Sequence, residues 1–151
     1  MKVCRAGGAT SIALVGVVAL SASAAATPPE GDVERTDLAK GDTTSAVSIT
    51  SADGQPTTLL VQQLVMHPGS SSGWHTHPGP EHSVITTGTV ELQTAGDCAV
   101  VPYGAGQSVF IPAGVAHRVA NGTPHDAGVV ATYTVPAGAP VRADSPDVCG
   151  K

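Results

Sequence analysis

Three histidines and one glutamate in this sequence have the types and spacing of a metal site. His75 and His77 would project from one face of a β-strand, because side chains alternate along a strand. Glu81 follows after Pro78-Gly79-Pro80 bends the chain, and His117 stands three residues after the last residue of a later Pro-Ala-Gly turn. Three neutral imidazole nitrogens and one carboxylate suit Mn, Fe, Co, Ni, Cu or Zn. We therefore predict that these four residues bind one divalent transition metal.

The remaining histidines and the cysteines fit a metal site less well. His82 is adjacent to Glu81, so strand alternation would turn it away from the metal. His67 and His125 lie in or beside turns, and we expect them to be solvated. The cysteines have no C-x-x-C spacing, which argues against a zinc–thiolate site. No residue stands out as a catalytic acid, base or nucleophile.

The elements that must position these residues are short segments separated by turn residues. Residues 57–66 alternate in polarity, with Leu59, Val61 and Val65 on one face. No sustained 3.6-residue apolar period occurs after residue 32, so the sequence predicts an all-β sandwich or barrel. Val84, Val109, Val119 and Val130 are expected to point inward. Besides 57–66, the predicted strands are 44–51, 75–77, 82–86, 90–94, 99–101, 108–111, 117–120 and 129–135.

The N-terminal residues have the composition of a secretory signal peptide. Lys2 and Arg5 precede an uncharged run over 9–20, and small residues lead to Ala26, where we predict cleavage. The uncharged run is shorter than the roughly 20 residues that span a bilayer. The prediction is therefore a secreted protein without a membrane span. Its parts are a signal peptide (1–26), a disordered lead (27–32), one β-domain (33–136) and an irregular C-terminal tail (137–151).

Export would leave two cysteines, Cys98 and Cys149, in an oxidising compartment. An even pair in a secreted chain predicts a disulfide, here one that ties the tail to the β-domain. The net charge of −5 at pH 7 comes with no basic patch. Nucleic acids and anionic membrane surfaces are therefore poor candidate partners.

Two segments of the chain resemble the two motifs of the cupin family. Residues 69–88 read G-x5-H-x-H-x3-E-x6-G, and residues 106–121 read G-x5-P-x-G-x2-H-x3-N, without departure at any fixed position. The resemblance implies an antiparallel jelly-roll β-barrel with the metal in its mouth, bound by His75, His77, Glu81 and His117. Small cupins commonly pair through a barrel edge. The first strands, over 33–49, would offer such an edge, so we expect a homodimer.

The sequence leaves two functions open, because a shared fold does not settle function. Four protein ligands leave open positions on a six-coordinate metal, which favours a metal-dependent oxidoreductase of the dioxygenase type acting on a small molecule. The alternative is a non-catalytic extracellular module that binds a metal or a small ligand. The lack of an evident general acid or base favours that alternative.

Overall fold

The computed structural model describes residues 36–48 and 56–150, which contain nine β-strands and no helix. Accordingly, this part of the chain contains no helix long and apolar enough to cross a membrane. The all-β prediction is confirmed. The strands are β1 (Thr57–Met66), β2 (His75–Thr76), β3 (Glu81–Thr87), β4 (Thr89–Thr94), β5 (Val101–Gly104), β6 (Ser108–Ile111), β7 (His117–Ala120), β8 (Ala127–Pro136) and β9 (Ala143–Asp144).

These strands form two sheets, and the larger of two hydrophobic clusters takes side chains from both sheets. The four-stranded sheet has the order β1-β8-β3-β6, and the five-stranded sheet has the order β5-β4-β7-β2-β9. All pairings between the named strands are antiparallel. Apolar side chains from both sheets pack together, so burial of this common surface holds the sheets face to face. The buried cluster is Met66, Ile85, Val90, Leu92, Val109, Ile111, Ala127 and Val129.

Strand alternation decides which side chains reach the core. In β3, Glu81, Ser83 and Ile85 are buried, and the residues between them are half-buried. Val84 therefore faces away from the core, and so does Val130 in β8. The prediction that these two valines point inward is wrong, because each stands one position out of phase with its buried neighbours. Val109 and Val119 do pack in or against the core, as predicted.

Several predicted strand limits agree with the structure and others do not. β1, β6 and β7 have the predicted limits, but β5 begins at Val101 rather than at residue 99. Residues 36–48 form no strand: Asp42 makes only an isolated bridge to Gln107, and the chain bends at residues 44–45. The expectation that strands over 33–49 offer a barrel edge is therefore wrong for these described residues. The rest of the predicted 44–51 strand and the Asp53-Gly54 turn lie outside the described residues. So do the predicted signal peptide and disordered lead.

The C-terminal tail is more ordered than the sequence indicated. Its strand β9 pairs with β2, through His75 opposite Asp144 and Thr76 opposite Ala143. The tail is also bonded to the barrel by the predicted disulfide, Cys98–Cys149, whose Cα atoms lie 5.6 Å apart. The expectation of an irregular tail is therefore wrong at β9, which has only two residues and no recognisable pattern of its own.

Candidate metal centre

The three histidines of the predicted site are brought together by the five-stranded sheet. His75 on β2 lies directly opposite His117 on β7, and their ring centroids are 4.2 Å apart. His77 follows β2, with its ring centroid 4.9 Å from that of His75 and 5.2 Å from that of His117. The Gly114 amide donates to the carbonyl oxygen of His77 at 2.8 Å. That bond joins the turn before His117 to the segment that carries the first two histidines.

Glu81 reaches the same point from the opposite sheet, where it begins β3. The preceding bend is tight, since a Cβ atom at Gly79 would overlap the carbonyl oxygen of Thr134. The Thr134 amide donates to the carbonyl oxygen of Pro80 at 3.1 Å, which holds the bend against β8. One ligand atom from each of the four predicted residues lies within 4.8 Å of the other three. The structure thus places all four side chains together, between the two sheets.

Hydrogen bonds to backbone carbonyls set the orientation of each imidazole. Nδ1 of His75 donates to Gly73 at 2.9 Å, Nδ1 of His77 to Val141 at 2.6 Å, and Nδ1 of His117 to Val115 at 2.9 Å. A carbonyl oxygen can only accept, so Nδ1 carries the proton in each ring. The Nε2 atom of each neutral ring therefore holds a lone pair, which is the form that binds a metal.

The centre of the cluster holds acceptor atoms without a donor. Oε2 of Glu81 lies 3.0 Å from Nε2 of His77 and 3.3 Å from Nε2 of His117. These three atoms are buried and have no hydrogen-bond partner among the described residues. The other carboxylate oxygen, Oε1, accepts a hydrogen bond from the Ser83 hydroxyl at 2.5 Å. Buried lone pairs facing one another repel unless a cation lies between them, so the donor set fits a divalent metal.

The charge states of the cluster agree with this arrangement. Burial lowers the pKa of His75 to about 4, against the opposing effect of its hydrogen bond to Gly73. His117, when protonated, and the positive charge of Arg142 add to that lowering. Burial opposes ionisation of Glu81, but hydrogen bonds from His117 and His77 when these rings are protonated, and from Ser83, outweigh burial and hold the pKa of this carboxyl well below its usual range. Neutral imidazole and ionised carboxylate are the forms that coordinate metals.

The cluster opens into a cavity of about 480 Å³ between the sheets. Most of its wall is apolar, with Ile85, Leu92 and Val119 among the lining residues. Tyr133 and Arg142 also line it, and neither is predicted from the sequence as a site residue. Tyr133 stands inside the β8 alternation, and Arg142 lies in the tail that was expected to be irregular. The two-residue alternation of β8 could therefore have identified Tyr133 as an inward-facing residue, but no sequence pattern identified Arg142.

The other sequence-predicted polar residues lie elsewhere. The His82 ring packs against Phe110, with centroids 4.7 Å apart, on the face of β3 opposite Glu81. His125 is exposed, and exposed His67 contacts Asp126 at 2.9 Å. The expectations that His82 turns away from the cluster and that His67 and His125 are solvated are confirmed. The cluster therefore contains no histidine beyond the three predicted.

Known proteins with similar sequences decide the family of this chain. The sequence pattern of the cupin domain matches residues 62–133. The β-alanine degradation protein BauB of Pseudomonas aeruginosa is 36% identical over 76 residues, which make up 49% of this chain and 79% of that protein. The chain belongs to the cupin family. Its two antiparallel sheets are the jelly-roll barrel of that family, as the motifs implied.

Solved structures share the fold of this cupin at low sequence identity. The DMSP lyase DddQ of Ruegeria pomeroyi superposes with a TM-score of 0.52 at 21% identity, over 62% of this chain and 45% of the lyase. The oxalate decarboxylase of Bacillus subtilis, which has Mn(II) centres, gives a TM-score of 0.50 at 20% identity, over 58% of this chain and 24% of the decarboxylase. The chain thus spans less than half the length of either enzyme, and the likeness concerns the fold.

Proposed function

We propose that this cupin binds one divalent transition metal through His75, His77, Glu81 and His117 and uses it on a small organic molecule held in the cavity. The observation that carries the proposal is the set of buried acceptor atoms with no donor among the described residues. A protein core rarely keeps such atoms unsatisfied, because each costs free energy when it is removed from water. A cation bound between them removes that cost.

The donor set narrows the metal to the borderline divalent ions. Three imidazole nitrogens and one carboxylate oxygen suit Mn, Fe, Co, Ni, Cu or Zn, and the absence of sulfur disfavours thiophilic ions. The Mn(II) centres of the decarboxylase make manganese the first ion to test. When bound, such a metal would supply Lewis-acid or redox chemistry at a coordination position facing the cavity. The apolar walls would exclude water from that position.

The enzyme function that we favour is a metal-dependent oxidoreductase of the dioxygenase type. A cavity of about 480 Å³ supports an action on small molecules, because ligand pockets commonly enclose about 300–1,000 Å³. The second candidate is a non-catalytic module that holds a metal or small ligand. It is supported by what the described cavity wall contains: its one carboxylate is Glu81, its histidines are those of the cluster, and its one cationic side chain is Arg142. Apart from the cluster, this wall offers no carboxylate or histidine as a general base.

We also propose that the chain is exported after cleavage near Ala26 and pairs as a homodimer. The Cys98–Cys149 disulfide supports export, because disulfides persist in oxidising compartments.

Support for pairing comes from β1, which is an edge strand of its sheet in the described part of the chain. Its outer face carries Leu59, Val61 and Val65, which are 68%, 54% and 56% exposed. Light scattering at micromolar concentration should give the mass of a dimer, and a monomer mass would contradict pairing.

Metal analysis of protein purified from its native host tests the main proposal. The purification must avoid an affinity-tag column, because such columns carry metals of their own. We expect about one transition-metal ion per chain. Less than a tenth of an ion per chain, with no gain on incubation with Mn(II), Fe(II) or Zn(II), would contradict the proposal. Oxygen uptake with a panel of small organic acids and phenols then separates the two candidates, since a binding module consumes no oxygen.

A further inference from the structure

Arg142 is the one cationic side chain that lines the cavity in the described part of the chain. Its side chain is 40% exposed, which places the guanidinium where the cavity meets solvent. The cluster, with the Glu81 carboxylate, lines the same cavity, whose wall is mostly apolar. The cavity therefore offers a molecule one cationic contact, a predominantly apolar surface and the candidate metal.

The guanidinium is anchored in a way that leaves one nitrogen free. Nε and Nη2 donate to the Asp144 carboxylate at 2.9 and 2.8 Å, and Nη2 also donates to the carbonyl oxygen of Ser72 at 2.7 Å. Nη1 makes no hydrogen bond to any residue that the structure describes. Asp144 is 85% exposed, so solvent screens its effect on the arginine charge. Arg142 is thus held in place and still able to bind an anion.

Tyr133 supplies a second donor at the inner end of the cavity. Its ring centroid lies 4.7 Å from that of His77, and its hydroxyl makes no hydrogen bond within the described residues. A tyrosine hydroxyl is protonated near neutral pH, so it can donate a hydrogen bond to a ligand oxygen.

The segment that carries Arg142 is also fixed to the histidines. Val141 accepts the Nδ1 hydrogen bond of His77, and β9, which begins at Ala143, pairs with β2. The residues on both sides of Arg142 are therefore bonded to the strand segment that holds His75 and His77. This arrangement sets the separation between the guanidinium and the cluster, as selective recognition of one ligand requires.

We propose that Arg142, assisted by Tyr133, recognises the carboxylate of a small carboxylic acid whose apolar body packs against the cavity wall. The free Nη1 nitrogen carries two N–H donors on a permanently charged guanidinium, and such donors form strong, charge-assisted hydrogen bonds to carboxylate oxygens. The apolar lining selects against small, highly polar acids. This proposal rests on the proposed small-molecule function of the cavity, and it adds the substrate class.

Three six-carbon probes that differ only in their head group test this recognition. Binding of hexanoate, hexan-1-ol and hexylamine is measured by calorimetry on the metal-free and the Mn(II)-treated protein. We expect hexanoate to bind more tightly than the other two in both preparations. Arg142→Gln should weaken hexanoate binding about 10- to 100-fold, because a charged hydrogen-bonded pair is lost. Binding of hexan-1-ol should not change. Tyr133→Phe should weaken hexanoate binding by a smaller factor.

Arg118 provides the matched control, because it is the other arginine near the cluster strands and does not line the cavity. It bonds to Ser71 and Gln93, so Arg118→Gln should bind hexanoate like the parent protein. Arg142→Lys keeps the positive charge but loses the guanidinium that anchors to Asp144 and offers Nη1, and it should retain an intermediate affinity. If Arg142→Gln does not fold, Arg142→Lys is the variant that tests the role of Arg142.

The outcomes separate this proposal from the metal proposal. If the protein holds no metal but binds hexanoate through Arg142, the metal function fails and the carboxylate site stands. If hexanoate binds only to the Mn(II)-treated protein and Arg142→Gln binds it equally well, the carboxylate coordinates the metal and the role of Arg142 is wrong. Equal binding of all three probes, or binding of none, would also overturn it.

Discussion

The barrel strands and the C-terminal tail contribute differently to the same site. The barrel supplies the four side chains of the cluster, from β2, β3, β7 and the residue after β2. The tail supplies no cluster residue. It contributes a carbonyl oxygen to His77, a strand beside β2 and the Arg142 guanidinium. The comparison indicates that the two cupin motifs supply the candidate metal ligands. The C-terminal tail, which lies outside the motifs, orients His77 and supplies the arginine that we propose selects the organic ligand.

Removing the disulfide between the tail and the barrel should have the largest effect of the changes considered, and it tests whether the tail supports the metal site. Replacing both Cys98 and Cys149 by serine should lower the free energy of unfolding by about 3–4 kcal/mol, because the closed loop spans about fifty residues. Metal affinity should also fall, by about tenfold, since outer hydrogen-bond partners of ligands typically matter by that factor or more. Urea unfolding and metal titration measure the two effects. Lower stability with unchanged metal affinity would show that the tail does not position His77.

Acid should destabilise the metal-free protein because His75, one of the barrel residues of the cluster, must then be protonated. The pKa of His75 falls from 6.5 to about 4 on folding, so the unfolded chain takes up the proton first. Stability should therefore decrease as pH drops from about 6.5 to about 4, by at most about 1.4 kcal/mol per pH unit for one proton. Glu81, whose pKa is lowered on folding, adds a further loss only below about 4.5.

Unfolding of the chelator-treated protein at several pH values measures this slope. His75→Gln removes the titrating group and should flatten the profile between about pH 6.5 and 4.5. A variant with the slope of the parent protein would rule out His75 as the source. The tail variant that lacks both cysteines should keep the slope, because His75 remains buried between the sheets.

Removing the Ser83 hydroxyl, which donates a hydrogen bond to Glu81, should have a smaller effect on stability and metal binding. Ser83→Ala removes the hydrogen bond to Oε1 and leaves that oxygen without a donor in the described structure. The expected loss is about 1–3 kcal/mol of stability, together with weaker metal binding. His82→Ala is the control, since His82 stands between Glu81 and Ser83 but on the outer face of β3. If both variants bind metal equally well, Ser83 does not orient the carboxylate.

The sequence predicted the site better than it predicted the site's surroundings. Two-residue alternation and the Pro-Gly-Pro bend select His75, His77 and Glu81, and the Pro-Ala-Gly turn precedes His117; these signals are local, so the sequence alone shows them. The same alternation, started from Glu81, would have placed Ser83 and Ile85 inward and corrected Val84. The contribution of Val141 was not predictable, since it acts through a backbone carbonyl that every residue possesses. The position of Arg142 at the cavity was not predictable either, because it depends on the pairing of β9 with β2.

Metal content of single variants tests the central claim most directly. His75→Ala, His77→Ala, Glu81→Ala, His117→Ala and His82→Ala are each loaded and analysed for metal per chain at neutral pH. We expect metal affinity to fall at least about tenfold for the four cluster variants, most for His117→Ala, which removes the ligand from the second motif. His82→Ala should match the parent protein. Loss of metal in His82→Ala with retention in Glu81→Ala would refute the assigned carboxylate ligand. Unchanged metal content in all five variants would contradict the site itself.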